Sequence, residues 1–158
     1  MVRTERRIRI CVVLLIFNLI LIWGNSLLPG YISASISRFV RNVIAFLFSG
    51  KTGSGGGSGE GILRKTAHFL EFTGLGLCLS WLVRMLAEKK ATWYWLPFLG
   101  GVLVACTDET IQRFVPGRSG RLFDVGIDNL GVITGIVIIS LIQNSRKQKI
   151  YNMEENKQ

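Results

Sequence analysis

Four apolar stretches, separated by charged or glycine-rich segments, dominate this sequence. They cover residues 10–28, 67–87, 93–112 and 125–142. A helix needs roughly 20 apolar residues to cross the hydrocarbon core of a bilayer, and each stretch is close to that length. A chain of 158 residues that is 49% hydrophobic is also unusually apolar for a soluble domain. The sequence therefore predicts an all-α membrane protein with a bundle of four transmembrane helices.

Basic residues cluster at the ends of the first, second and fourth stretches. The clusters comprise Arg3, Arg6, Arg7, Arg9, Arg84, Lys89, Lys90, Arg146, Lys147 and Lys149. The positive-inside rule assigns all three clusters to the cytoplasmic side, which four crossings allow. Both termini, including a tail at 143–158, are then expected in the cytoplasm. The net charge of +9 forms no continuous basic face, so we expect no nucleic-acid partner.

Two further segments join the first and second crossings. Residues 31–48 carry apolar side chains at spacings of three and four, which predicts an outer amphipathic helix lying in the membrane interface. Residues 49–61 are almost wholly glycine and serine, which predicts a flexible linker. The first stretch could alternatively be a cleaved signal peptide, but its length favours a retained anchor.

Polar residues gather at the predicted outer ends of three crossings. They are Arg64, Lys65, His68, Glu71, Asp108, Glu109, Gln112, Arg113, Arg118, Arg121, Asp124, Asp128 and Asn129. Charged groups within a membrane helix are costly and commonly mark function. Because residues three or four apart share a helix face, each helix presents a polar stripe at one level. We expect the only histidine, His68, to share a hydrogen bond with Glu71 or with an acidic residue of the third or fourth crossing.

The fourth crossing also contains a packing signal. Gly131 and Gly135 form a G-x-x-x-G pair, which allows another helix to approach closely. Packing against a helix of the same chain is favoured over dimerisation.

The polar segments resemble the signature of the VanZ-like family. The matching strings are RKTAHFLEF at 64–72, TDETIQRFVPGR at 107–118 and DVGIDNLG at 124–131. The resemblance implies a multi-pass protein of the bacterial cell membrane, linked by the family's name to glycopeptide resistance of the teicoplanin type. Ile111 stands where the family usually has histidine, and Phe72 where it often has tyrosine. The missing histidine disfavours any site built on two imidazoles.

Two sets of candidate residues follow from this pattern. Proton-handling catalytic roles suit His68, Glu71, Asp108, Glu109, Asp124 and Asp128. Ligand binding suits Lys65, Gln112, Arg113, Arg118, Arg121 and Asn129, because arginine grips carboxylate or phosphate through two parallel hydrogen bonds. The partner expected besides the bilayer is an anionic lipid-linked envelope precursor or a glycopeptide.

Two other functions remain open at this stage. A metal-dependent membrane hydrolase would draw its ligands from the same carboxylates and His68, although the sequence alone assigns no residue to a metal. A non-catalytic scaffold or partner-binding subunit would use the polar cluster only to join its helices. The sequence does not decide whether the protein is an enzyme and names no cofactor.

Overall fold

A computed structural model describes residues 2–49 and 58–155, and these residues form five helices and no strand. The helices are α1 (Val2–Leu27), α2 (Gly30–Ser49), α3 (Ser58–Leu86), α4 (Thr92–Phe114) and α5 (Leu122–Glu155). The predicted all-α class is confirmed.

Three of these helices are long and apolar enough to cross a membrane. The spans are Thr4–Leu27 in α1, Gly61–Leu86 in α3 and Leu122–Arg146 in α5. Helix α4, the predicted third crossing, does not qualify on composition. Its first turns contain Tyr94 and Pro97, and its last turns contain Asp108 and Glu109, all of which reduce its mean hydropathy.

Two helices extend beyond the predicted crossings. Helix α3 begins at Ser58, ahead of the apolar stretch, and α5 continues to Glu155, through the predicted tail. Adding residues to an existing helix costs less free energy than nucleating a new one. The helix formed by an apolar stretch can therefore extend into the polar residues beside it. Residues 50–57, most of the predicted linker, lie outside the described residues, and residues 58–61 are helical instead.

Helices α3 and α5 make the most extensive contact in the bundle, and glycines allow it. A Cβ atom at Gly135 would lie 2.5 Å from the Thr73 carbonyl oxygen, and one at Gly131 would lie 2.5 Å from that of Phe69. From the opposite side, a Cβ at Gly76 would lie 2.3 Å from the Val132 carbonyl oxygen. The G-x-x-x-G pair therefore packs within the chain, as predicted.

The apolar core lies next to this glycine contact. Its fully buried side chains come from α1, α3, α4 and α5, namely Ile22, Phe72, Leu75, Ala105 and Val132. Helix α1 is also bonded to α3, because the Asn18 amide nitrogen donates to the Glu71 carbonyl oxygen at 3.2 Å. The core thus holds the helices in register below the polar residues.

At the opposite end of the bundle, Arg84 of α3 joins α5 and α4. Its guanidinium donates to the Gln143 side-chain oxygen at 2.8 Å and to the Ser140 hydroxyl at 2.6 Å. The same group lies 5.1 Å from the centre of the Trp93 ring and 5.4 Å from that of Tyr94. Both ends of the α3–α5 pair are therefore fixed by polar contacts.

The loop between α4 and α5 is fastened to the end of α1. Arg118 donates from Nε to the Leu28 carbonyl oxygen at 2.9 Å and from Nη2 to the Asn25 carbonyl oxygen at 2.5 Å. A cation is well placed there, because the last carbonyls of a helix lack intrahelical partners and carry partial negative charge. Gly117, with φ of 74°, also lies directly against Gly30. The loop and the α1–α2 turn therefore form one connected unit.

The glycine contact generates a stability prediction. Gly135→Ala should lower the free energy of unfolding by about 1–3 kcal/mol, because the added methyl meets backbone atoms of α3 that cannot move aside. Gly24→Ala is the control, since a Cβ at Gly24 meets nothing within 4 Å. Unfolding in detergent, followed by tryptophan fluorescence, measures both. Equal stability of the two variants would contradict the close packing.

The Arg118 contacts generate a second prediction. Arg118→Lys should lower stability in the absence of any ligand by about 1–3 kcal/mol, because a single ammonium cannot replace the two-point contact with the α1 carbonyls. The control is Arg121→Lys, whose side chain is exposed in the same loop. A melting temperature of Arg118→Lys equal to that of the parent would show that these contacts do not hold the loop.

Candidate functional site

Three helices bring polar side chains together around a small cleft. Helices α3, α4 and α5 all contribute to its lining, which consists of Arg64, Lys65, His68, Glu109, Gln112, Asp124, Ile127 and Asp128. We call this space the polar cleft. Its cavity volume is about 10 Å³, which is space for about one water molecule. The predicted convergence of the three polar stripes is thus seen in the structure.

His68 is buried between two carboxylates. Its Nδ1 atom lies 3.9 Å from the Asp108 Oδ2 atom and 3.9 Å from the Glu71 Oε2 atom. Both distances exceed that of a hydrogen bond. The neighbours of His68 were predicted correctly, but the expected hydrogen bond is wrong. Asp108 Oδ2 instead accepts a hydrogen bond from Gln112, whereas Glu71 Oε2 has no partner among the described residues.

Asp108 and Glu71 each accept a hydrogen bond from an amide side chain. Gln112 donates to Asp108 Oδ2 at 2.8 Å, one turn away on α4, and to the Ser26 hydroxyl of α1 at 3.2 Å. Asn25 of α1 donates to Glu71 Oε1 at 3.3 Å. Asn25 of α1 thereby limits the orientation of the Glu71 carboxylate, and Ser26 of α1 limits that of Asp108 through Gln112.

Glu109 binds the loop that follows α4. Its Oε2 atom accepts a hydrogen bond from the Arg121 backbone N–H at 2.7 Å. Gly120 makes this approach possible, because a Cβ there would lie 2.4 Å from the Glu109 carbonyl oxygen. One carboxylate oxygen of Glu109 is therefore used to hold the loop.

Lys65 and Asp124 form an ion pair at the edge of the cleft. The Lys65 Nζ atom lies 3.5 Å from Asp124 Oδ1 and 5.0 Å from the centre of the Phe123 ring. The lysine side chain is 42% exposed. Only 19% of the Asp124 side chain is exposed, so solvent screens this pair mainly from the lysine side.

One atom each of His68, Asp108 and Asp128 lies within 4.8 Å of the others. All three residues are buried, Asp108 completely. Three of their polar atoms, His68 Nδ1, Asp108 Oδ1 and Asp128 Oδ2, have no hydrogen-bond partner in the described part of the protein. Such a group has the composition of a metal centre, with one imidazole and two carboxylates.

Four of the predicted ligand-binding residues are used differently or point elsewhere. The Arg113 and Arg121 side chains are exposed and do not line the polar cleft. Asn129 donates to the Val125 carbonyl oxygen of its own helix at 2.8 Å.

Arg118 binds α1 instead of lining the cleft. Burial lowers the pKa of its guanidinium from the ordinary value, and the Arg64 charge acts in the same direction. Only Lys65 and Gln112 of that set line the cleft.

Two residues of the site, Asn25 and Ser26, were not predicted from the sequence, and Arg64 was placed among the polar residues without a role. Asn25 contacts Glu71, and Ser26 contacts Gln112. Both are polar residues at the end of an apolar helix, which is the sequence feature that could have identified them. Arg64 lines the polar cleft, and none of the described residues forms a salt bridge with it. Its signal was its place beside Lys65 in a shared motif.

A second cavity, which we call the side groove, adjoins the polar cleft at Arg64. Its volume is about 150 Å³, and it lies between α2, α3 and the end of α1. Its lining is Asn25, Ser33, Ile36, Ser37, Val40, Leu63, Arg64 and Ala67. Arg64 is the residue common to both linings, so one residue borders a polar space and a largely apolar one.

Comparison with known proteins gives one match. The VanZ/LLP1 family model matches residues 8–143, which include all three polar segments and most of the chain. No curated protein and no solved structure matches the sequence. The extent of the family match, together with the convergence of its motifs on one cleft, shows that the chain belongs to the VanZ/LLP1 family.

Proposed function

We propose that this protein binds the anionic head group of a cell-envelope lipid, such as a lipid-linked wall precursor, at the mouth of the polar cleft. The observation that carries the proposal is the position of Arg64, which borders both the polar cleft and the side groove. An amphiphile needs these two environments side by side. The link to antibiotic resistance that the family name suggests would then act through this envelope lipid.

Two cations are available to hold the head group. Arg64 forms no salt bridge with a described residue, and Lys65 pairs among the described residues with Asp124 alone, at 3.5 Å. A guanidinium binds phosphate or carboxylate through two parallel hydrogen bonds, and an ammonium adds a point charge. A diphosphate or a carboxylate group therefore suits this pair.

The side groove suits the apolar part of the same ligand. Ile36 and Val40 of α2 and Leu63 and Ala67 of α3 provide apolar surface directly beside Arg64. An acyl or prenyl chain that leaves the bilayer for this groove exchanges one apolar environment for another, so its contribution to affinity comes from van der Waals packing against these side chains.

The sizes of the two cavities favour a lipid over a glycopeptide as the ligand. The polar cleft holds about one water molecule in 10 Å³, so it cannot enclose a large rigid head group. The side groove, at about 150 Å³, can accommodate part of a flexible chain. A glycopeptide would be restricted to the mouth of the cleft and would leave the groove unused.

The proposal includes a topology in the bacterial cell membrane. Helix α4 is the third of four crossings, α2 lies in the outer interface, and both termini are cytoplasmic. The basic clusters at the ends of α1, α3 and α5 support this orientation. Helix α2 supports an interfacial position through exposed apolar residues such as Phe39, Val43 and Leu47. The polar cleft would then face the outer leaflet.

Lipid binding can be tested with Arg64→Gln. Native mass spectrometry of the purified protein with a polyprenyl diphosphate should give an affinity about tenfold to a hundredfold weaker than that of the parent, as expected for loss of a charge-assisted contact. The control is Arg113→Gln, which removes an exposed arginine outside both cavities and should bind like the parent.

Two comparison ligands separate the contributions of head and chain. Inorganic diphosphate should bind more weakly than the prenyl diphosphate, because it cannot fill the side groove, and phosphatidylcholine should not compete. Parent protein that binds the prenyl diphosphate no better than phosphatidylcholine would overturn the proposal and leave the polar cluster as a scaffold joining the helices.

Topology can be tested with single cysteines. Cys11, Cys78 and Cys106 are first replaced by alanine, and cysteine is then introduced at Ser119 or at Ser145, both of which are exposed. A membrane-impermeant maleimide added to intact cells should label the Ser119→Cys protein and not the Ser145→Cys protein. Labelling of both, or of Ser145→Cys alone, would contradict the topology.

A further inference from the structure

We infer that His68, Asp108 and Asp128 form a binding site for one divalent transition-metal ion at the base of the polar cleft. The inference goes beyond the proposed function and does not depend on it, because all three residues are buried beneath the residues assigned to the lipid head group. It assigns a ligand to a part of the site that the lipid proposal leaves unused.

The separations of the three residues suit a shared ion. Nitrogen and oxygen ligands bind zinc-like ions at about 2.0–2.2 Å, so two ligands of one ion lie up to about 4.4 Å apart. The His68 Nδ1 and Asp108 Oδ2 atoms are 3.9 Å apart, within this limit. The whole group fits within 4.8 Å, so small side-chain rotations bring all three residues onto one ion.

The hydrogen bonding of the three residues supports the same conclusion. His68 Nδ1, Asp108 Oδ1 and Asp128 Oδ2 are buried and have no partner among the described residues. Each such atom costs about 1–3 kcal/mol if it stays unsatisfied. The side chain of Asp108 is 0% exposed and that of His68 is 10% exposed, so bulk water does not compensate. A cation would satisfy acceptors on all three residues.

The protein holds these residues as metal ligands are commonly held. Gln112 donates to Asp108 Oδ2 and is itself bonded to Ser26, which fixes the orientation of one carboxylate. Glycine packing between α3 and α5 fixes the distance between the helices that carry His68 and Asp128. Hydrogen bonds from neighbouring side chains to a metal ligand orient the ligand and raise metal affinity.

The composition of the site indicates which ions it prefers. One imidazole and two carboxylates suit zinc or manganese better than calcium, which takes six to eight oxygen ligands. The cavity of about 10 Å³ holds an ion or a single water molecule and nothing larger.

The test uses purified full-length protein, without a histidine tag or added lipid, after removal of metals with a chelator. Incubation with Zn²⁺ or Mn²⁺, desalting and mass spectrometry of the metal content should give one ion per chain. Co²⁺ should give a visible spectrum typical of four or five ligands. Parent protein that retains none of these ions would overturn the inference, while lipid binding could still be present.

Substitutions identify the ligands. Asp128→Asn and His68→Gln should each weaken Zn²⁺ binding by at least about tenfold. The control is Asp124→Asn, which removes a carboxylate at the edge of the same cleft and should retain one ion per chain. Melting in metal-free buffer shows which variants are folded, and a folded variant of either residue suffices. Unchanged binding in a folded Asp128→Asn or His68→Gln protein would mean that the ion is adventitious and would overturn the inference.

Discussion

Close packing between α3 and α5 is the contact on which the rest of the molecule depends. Three glycines bring the two backbones together, so that carbonyl oxygens of one helix lie where side chains of the other would stand. This spacing places His68 of α3 opposite Asp128 of α5, while α4 adds Asp108 from the side. A larger residue at any of these glycines would separate the elements that build the polar cleft.

The polar residues of the cleft are not a uniform cluster of ion pairs. Glu109, Gln112 and Arg118 are engaged in contacts that hold the loop and α1 in place, whereas His68 and Asp128 retain unbonded atoms in buried positions. Burying polar atoms without partners opposes folding. Further unbonded buried atoms on Glu71, Asp124 and Asn129 lie on the same helices, so the uncompensated polar groups concentrate around the polar cleft.

The sequence predicted the all-α class and the convergence of polar residues from three helices, because apolar length and helical spacing are local properties. Gly131 and Gly135 were assigned correctly to packing within the chain. The partners of individual side chains were harder to predict, since they depend on how helices rotate against one another. Arg118 was assigned to a ligand because its residue type suits anions, yet it binds the Asn25 and Leu28 carbonyls at the end of α1. No local pattern indicates that those carbonyls would be nearest.

The attachment of the α4–α5 loop to the α1–α2 turn restricts how a ligand can reach the cleft. Arg118 and the Gly30–Gly117 contact join these two segments, so the loop cannot lift away without disturbing α1. The side groove is lined by residues of α1, α2 and α3 and not by this loop. In the proposed topology this leaves a lateral route from the outer leaflet, by which a molecule already dissolved in the bilayer would enter without passing through water.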